Sequence, residues 1–341
     1  MNAGTDYHPR TMKIVWRERW GGPEVLEIRE VETPVPAGDQ VLVRMRASSV
    51  NRADLDWMLP KGGWAARLAL GLRRPRRHTL GIDAAGTVEA VGPDAPRFKP
   101  GDRVFGDLIF QGMAAFGEYV CVKERALQLI PESLSFEQAA TLPHSALLAV
   151  MGLKPYWGQT LKAGDSVMIV GASGNVGPFA VQIAKARGLR VTGVCRTAKV
   201  HFVRSLGADD VIDYTTTDYT KSGPYDRILD VDAHRSIFGY RKALKPNGVY
   251  ISMGGNGIWI LSYFVAAITF SLGRGKHLGL MPGWRPFHPD DVAILRELVN
   301  RGAIQPRIDR RYPLTEIVAA LRDVHEGRSK GKIVITYDAD S

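Results

Sequence analysis

A chain of 341 residues has room for about two domains of ordinary size, and its 45% hydrophobic and 23% charged residues exclude collagen-like, disordered and coiled-coil classes. Cys121 and Cys195 are too few for a disulfide framework or a four-cysteine zinc cluster, and free thiols point to a reducing compartment. Forty-five Lys and Arg against 35 Asp and Glu give a net charge of +10, which admits an anionic partner: nucleic acid, membrane surface or phosphorylated cofactor.

Met1–Arg10 carries no apolar run behind a basic start, so no secretory signal is read and a cytoplasmic location is expected. As far as about residue 145 the chain reads as short strands and turns, with strands at Val41–Val50 and Ala85–Val91 punctuated by Pro34, Pro36, Gly38, Gly92, Pro93, Pro100 and Gly101. The basic residues are mostly scattered. Arg73, Arg74, Arg76 and Arg77 cluster, but Pro75 interrupts them and no aromatics interleave, so a solvated loop is expected rather than a nucleic-acid surface.

From about Gly164 the rhythm changes. Strand Ser166–Val170, helix Val176–Arg187 and strand Arg190–Cys195 are followed by strands at Val211–Tyr214, Arg227–Val231 and Gly248–Met253. Strands alternating with helices imply right-handed crossovers and a parallel, doubly wound sheet. Ile258–Leu272 carries no charge, yet as a helix it would reach only roughly 22 Å, short of a ~30 Å hydrocarbon core. A buried helix, a wall of a pocket or dimer contact, and a peripheral membrane contact with a basic flank remain open for it, in that order. Helical patterns at Asp290–Arg301 and Leu314–Glu326 and a strand at Gly331–Tyr337 end the chain.

Between the strand Ser166–Val170 and the helix lies Gly171-Ala172-Ser173-Gly174-Asn175-Val176-Gly177. A glycine-rich turn in that place lets the backbone approach a pyrophosphate, whose charge the free N–H groups of the helix start receive. Ala172 replaces the first glycine of the G-x-G-x-x-G pattern, and Pro178 sits in the first turn, where a missing N–H is tolerated. A carboxylate at the end of the second strand would bind the ribose 2′-hydroxyl of NAD, but here the strand ends Cys195-Arg196-Thr197-Ala198-Lys199. Arg196 and Lys199 suit a 2′-phosphate, so NADPH is the expected cofactor.

Taken together, Ser48-Ser49-Val50-Asn51-Arg52-Ala53-Asp54, Leu80-Gly81-Ile82-Asp83-Ala84-Ala85-Gly86, Phe98-Lys99-Pro100-Gly101-Asp102-Arg103-Val104, Ala139-Ala140-Thr141-Leu142-Pro143, the glycine turn and Leu206-Gly207-Ala208-Asp209 resemble the medium-chain dehydrogenase/reductase superfamily, in particular its zinc-lacking NADPH:quinone reductases of the zeta-crystallin type. The resemblance implies an α/β fold: a GroES-like, mainly β catalytic domain (1–145 and 286–341) with an inserted Rossmann doubly wound parallel-sheet domain (146–285). It implies hydride transfer from NADPH to a quinone or α,β-unsaturated carbonyl, a small hydrophobic electrophile, by a homodimer or monomer. It places Asn51 and Asp54 at the active-site rim, Tyr214 beside the 2′-phosphate, and Ser252, Met253 and Gly254 under the nicotinamide. Zinc-dependent relatives carry a cysteine where this chain has Asn51 and a His-Glu pair where it has Ile82-Asp83, so no metal is expected. Asp56 stands where relatives place a tyrosine or histidine, and Leu148 where they commonly have threonine; these departures leave the proton donor open, and with it a non-catalytic, NADPH-binding alternative.

Overall fold

Apolar runs bounded by glycine and proline form strands, and the chain leaves its first β-rich unit only to return to it. The structure, a computed structural model, describes residues 10–58, 71, 73–254, 275–281, 285 and 287–337. Ile258–Leu272 lies outside the described residues, so none of its three readings is decided.

The chain opens with β1 (Thr11–Trp16) and β2 (Glu27–Glu32), paired antiparallel. It continues through β3 (Gln40–Val50), α1 (Arg52–Met58), β4 (Asp83–Val91), β5 (Arg103–Asp107), β6 (Tyr119–Lys123), β7 (Leu127–Leu129) and α2 (Phe136–Ala140). A reciprocal capping box between Ser135 and Gln138 starts α2. Next come α3 (Ser145–Gly152), β8 (Ser166–Val170), α4 (Gly177–Ala186), β9 (Arg190–Cys195), α5 (Val200–Ser205), β10 (Asp210–Asp213), β11 (Tyr225–Asp230), α6 (Ile237–Lys242), β12 (Leu244–Ser252), β13 (His277–Leu280) and α7 (Pro289–Asn300). The last elements are β14 (Ile308–Pro313), α8 (Ile317–His325) and β15 (Lys332–Thr336).

These elements form two compact units, Met1–His144 with Ile308–Ser341, and Ser145–Arg307. In the first, a seven-stranded sheet runs β14-β15-β3-β4-β5-β7, with β6 pairing with β3. Apolar side chains of β3, β4, β5 and β6, among them Val41, Val43, Val88, Val104 and Val120, form one core; a second joins Leu55 and Met58 of α1 to Leu321 and Val324 of α8. In the second unit a six-stranded sheet runs β10-β9-β8-β11-β12-β13, every pair parallel. Counted within this unit the order is 3-2-1-4-5-6, that of a Rossmann sheet, whose switch point falls between β8 and β11.

The return to the first unit comes at Ile308, a correction to the expected boundary near residue 286. Helix α7 turns Val292, Leu295 and Val299 inward at helical spacing, and it packs against α3 of the second unit. Burial of that stripe binds the segment before β14 to the second unit.

Candidate active site

Parallel register brings the turns of the second unit to one sheet edge. Val170 pairs with Val194 and with Asp230, Cys195 with Asp213, and Asp230 with Ser252, so the carboxyl ends of β8, β9, β10, β11 and β12 lie side by side. The sequence-predicted residues Ala172, Ser173, Gly174, Asn175, Val176, Gly177, Cys195, Arg196, Tyr214, Ser252, Met253 and Gly254 all stand at this edge or in the turn leaving it.

The glycines of the turn differ in purpose. A Cβ on Gly177 would meet Gly171 O at 2.2 Å and Ala172 C at 2.5 Å, so Gly177 lets α4 begin against the backbone of the turn. A Cβ on Gly174 would meet only Gly171 O, at 3.5 Å, leaving the backbone open to a ligand. Gly171 takes a left-handed φ of 79°, which a side chain would resist. Ala172, in place of the motif's first glycine, is fully buried and donates its N–H to Val194 O at 3.1 Å. The methyl group therefore points into the fold and does not occupy the turn's outer face.

Beyond β9, Arg196 is exposed but Lys199 is only 7% exposed, so of the two expected phosphate contacts Arg196 is the one on display. Tyr214 is half-buried against the aromatic core of this unit, and its N–H donates to Cys195 O at 3.1 Å. At the end of β12, Ser252 Oγ donates to Gly254 O at 3.0 Å, fixing the turn. Beside it on β11 is Asp230, fully buried and accepting from Tyr250 Oη at 3.0 Å and Asp232 N at 3.1 Å. Burial pushes the Asp230 carboxyl up to about 6.

In the first unit a buried polar cluster forms where β3 ends and α1 begins. Asp83 of β4 accepts from Ser49 Oγ (2.5 Å), Asn51 Nδ2 (2.8 Å) and Lys332 Nζ (3.2 Å) on one oxygen, and from His144 N (2.9 Å) on the other. Lys332 Nζ also donates to Asn51 Oδ1 at 2.6 Å. His144 Nδ1 lies 3.0 Å from Asp107 Oδ2. Asp54 Oδ2 accepts the Asn51 N–H at 2.7 Å, as an acid three residues into a helix does at its cap, while Asp54 Oδ1 is buried with no hydrogen-bond partner among the described residues.

Three buried carboxyls, Asp54, Asp83 and Asp107, thus face two basic groups, Lys332 and His144. Burial, with the Asp83 charge beside it, pushes the Asp54 carboxyl up to about 7. Burial alone would lower the His144 imidazole, but the Asp107 carboxylate outweighs it and holds the ring above its ordinary value. Burial lowers the Lys332 ammonium, with Asp83 opposing.

Of the three expected catalytic residues, Asn51 and Asp54 join this cluster, and Asp56 is half-buried on α1. Asn51 is 1% exposed, with both ends of its amide committed. Sequence reasoning missed Lys332, His144 and Asp107. The one signal for Lys332 is a lysine opening an otherwise apolar strand, Lys332–Thr336.

A family model for an alcohol dehydrogenase GroES-like domain matches residues 37–132, and one for a zinc-binding dehydrogenase matches 206–335. The chain is 31% identical over 357 residues to a mitochondrial NAD(P)H oxidoreductase of Homo sapiens, covering 93% of this chain and 87% of that one. It is 30% identical over 327 residues to a chloroplast envelope quinone oxidoreductase homolog of Arabidopsis thaliana, covering 92% and 95%. This chain belongs to the medium-chain dehydrogenase/reductase superfamily, in its zinc-lacking quinone reductase group. The fold agrees: the quinone oxidoreductase structure from Coxiella burnetii matches with a TM-score of 0.83 at 29% identity, covering 96% of this chain and 99% of that one. As a member of this superfamily the protein is an oxidoreductase, and its second unit is the NAD(P)-binding fold. Among the described residues no helix is long and apolar enough to cross a membrane.

Proposed function

We propose that this medium-chain reductase is a zinc-independent, NADPH-dependent enzyme that transfers hydride to a quinone or an α,β-unsaturated carbonyl. The observation that carries the reading is the buried cluster: its central cation is the Lys332 ammonium, tied to Asn51 and Asp83, at the positions where zinc-dependent relatives place a cysteine and a His-Glu pair. Among the described residues no group of three or more His, Cys, Asp or Glu is placed to hold a metal ion. Alcohol oxidation is helped greatly by a metal that stabilises an alkoxide. A quinone or enone is already electrophilic, and it spreads the incoming electron pair over a conjugated oxygen without that help.

The nicotinamide fits the second unit on side-chain and backbone grounds. Gly174 leaves the turn open to a pyrophosphate, the start of α4 offers N–H groups, and exposed Arg196 replaces the carboxylate that would favour NAD. When bound, NADPH supplies the hydride. The residues of the chain then have limited tasks: Arg196 holds the 2′-phosphate, the turn holds the pyrophosphate, and the Ser252–Gly254 strand end supports the ring. Asn51 and Asp54, which the family resemblance makes rim residues, are held in one buried cluster of the first unit. Two electrons and one proton enter the acceptor as hydride, the negative charge moves to its oxygen, and a proton from solvent completes the reduced product.

Stopped-flow oxidation of NADPH against matched quinone, enone and alcohol/aldehyde sets tests this reading. Quinone or enone should be turned over fastest. Faster turnover of the alcohol/aldehyde pair sinks the assignment. Tight NADPH binding without turnover favours the non-catalytic reading, for which the departures at Asp56 and Leu148 are the supporting observation.

A further inference from the structure

Asn51 is held at both ends by groups of opposite charge. Its Oδ1 accepts from the Lys332 ammonium at 2.6 Å, and its Nδ2 donates to the Asp83 carboxylate at 2.8 Å. The ammonium also contacts Asp83 Oδ2 at 3.2 Å, closing a triangle of amide, ammonium and carboxylate. Rotating the Asn51 amide by half a turn would set NH2 against NH3+ and oxygen against oxygen, so the charges themselves fix which way it faces.

Strand register makes this triangle possible. Ile333 pairs with Val50, so Lys332 falls beside Asn51, the residue linking β3 to α1. Through its own N–H, Asn51 is bonded to Asp54 on the first turn of α1. A buried ion pair is seldom the most stable way to fill a core, since apolar residues of similar volume often serve equally well or better. This pair is 1% and fully buried, and what it holds is the start of α1.

We propose that Lys332 is a positioning residue for hydride transfer, its buried ammonium fixing Asn51 and, through Asn51, the Asp54 turn at the start of α1. The inference rests on the quinone or enone reading above and adds to it the residue that orders the rim. Lys332 acts in the place of a bound cation: it gathers two oxygen atoms to one point and orients the backbone they hang from. Its role is within the cluster, where the ammonium donates to Asn51 Oδ1 and Asp83 Oδ2.

Neutralising the pair separates positioning from simple charge balance. Lys332→Met alone leaves Asp83 buried beside no ammonium and should lose both stability and turnover. Lys332→Met with Asp83→Asn removes both charges, and thermal stability should return toward wild type. In that double variant kcat on the preferred quinone should stay tenfold or more below wild type, NADPH affinity should stay within twofold, and amide hydrogen exchange at residues 51–54 should quicken. Recovery of wild-type kcat, or unchanged exchange at those amides, overturns the inference.

Should the double variant fail to fold, Asn51→Ala carries the test, because it leaves the Lys332–Asp83 pair in place. It should lose kcat by a similar factor, and wild-type kcat there overturns the inference. If wild-type protein reduces no acceptor, the functional reading above fails. The exchange measurement then decides the positioning role by itself, quicker exchange supporting it and unchanged exchange overturning it.

Discussion

Asp54→Asn should stabilise the protein at pH 8 more than at pH 4.5. The carboxyl is fully buried, one of its oxygens has no hydrogen-bond partner among the described residues, and the groups facing it are Asn51, Asp83, Lys332 and His144. Its folded-state value of about 7 lies above the ordinary 3.8, so the folded protein holds this proton more tightly than the unfolded chain does. The contribution to stability is therefore fully present below the unfolded value, shrinks as pH rises toward 7, and is lost above it. Integrated from pH 4.5 to 8, a shift from 3.8 to about 7 removes on the order of 3 kcal/mol. Asparagine keeps an oxygen for the Asn51 N–H and never ionises, so it escapes this loss. Urea denaturation of both proteins at the two pH values, followed by tryptophan fluorescence and checked for equal m-values, gives the difference directly. A variant-minus-wild-type difference that is the same at both pH values, or larger at pH 4.5, refutes the reasoning.

Gly177→Ala should destabilise by about 1–3 kcal/mol because its Cβ meets backbone atoms that cannot move aside cheaply; thermal melts check this. Gly174→Ala should leave the melting temperature almost unchanged yet weaken NADPH tenfold or more, since its Cβ is free in the protein alone and stands where a pyrophosphate approaches. Arg196→Ala should weaken NADPH by roughly ten- to a hundredfold, the loss of one charged hydrogen bond, and leave NADH almost untouched; tighter NADH than NADPH binding in wild type would end the cofactor assignment. Elemental analysis of the purified protein should find no stoichiometric zinc, and chelators should not reduce turnover; one zinc per chain, lost together with activity, would contradict the reading of Asn51, Ile82 and Asp83.

The second unit was largely legible in the sequence because its signals are local. Ser166–Val170, the glycine turn and Arg190–Cys195 lie within one βαβ unit, and strand period, turn chemistry and helix start each act over a few residues. Arg196 could be singled out by its place at a strand end, but the burial of Lys199 three residues later is decided by how the next turn packs. The compact units divide at Ile308 where the sequence placed the return near residue 286: an amphipathic pattern shows that α7 has an apolar stripe, and only packing shows that α3 covers it.

The buried cluster was almost wholly a product of tertiary structure. In the sequence, Asn51 and Asp54 were marked only by the resemblance of Ser48–Asp54 to the family, and Ile82-Asp83 by the ligands missing there. Nothing local joins Lys332 to Asn51, which lie 281 residues apart and meet because β15 pairs antiparallel with β3 in one register. A slip of one residue would turn Lys332 to the opposite face of the sheet. Sequence by itself determined the fold class and the chemistry of each turn; register and packing decided which charges share a dry interior, because that requires segments far apart in the chain to exclude water together.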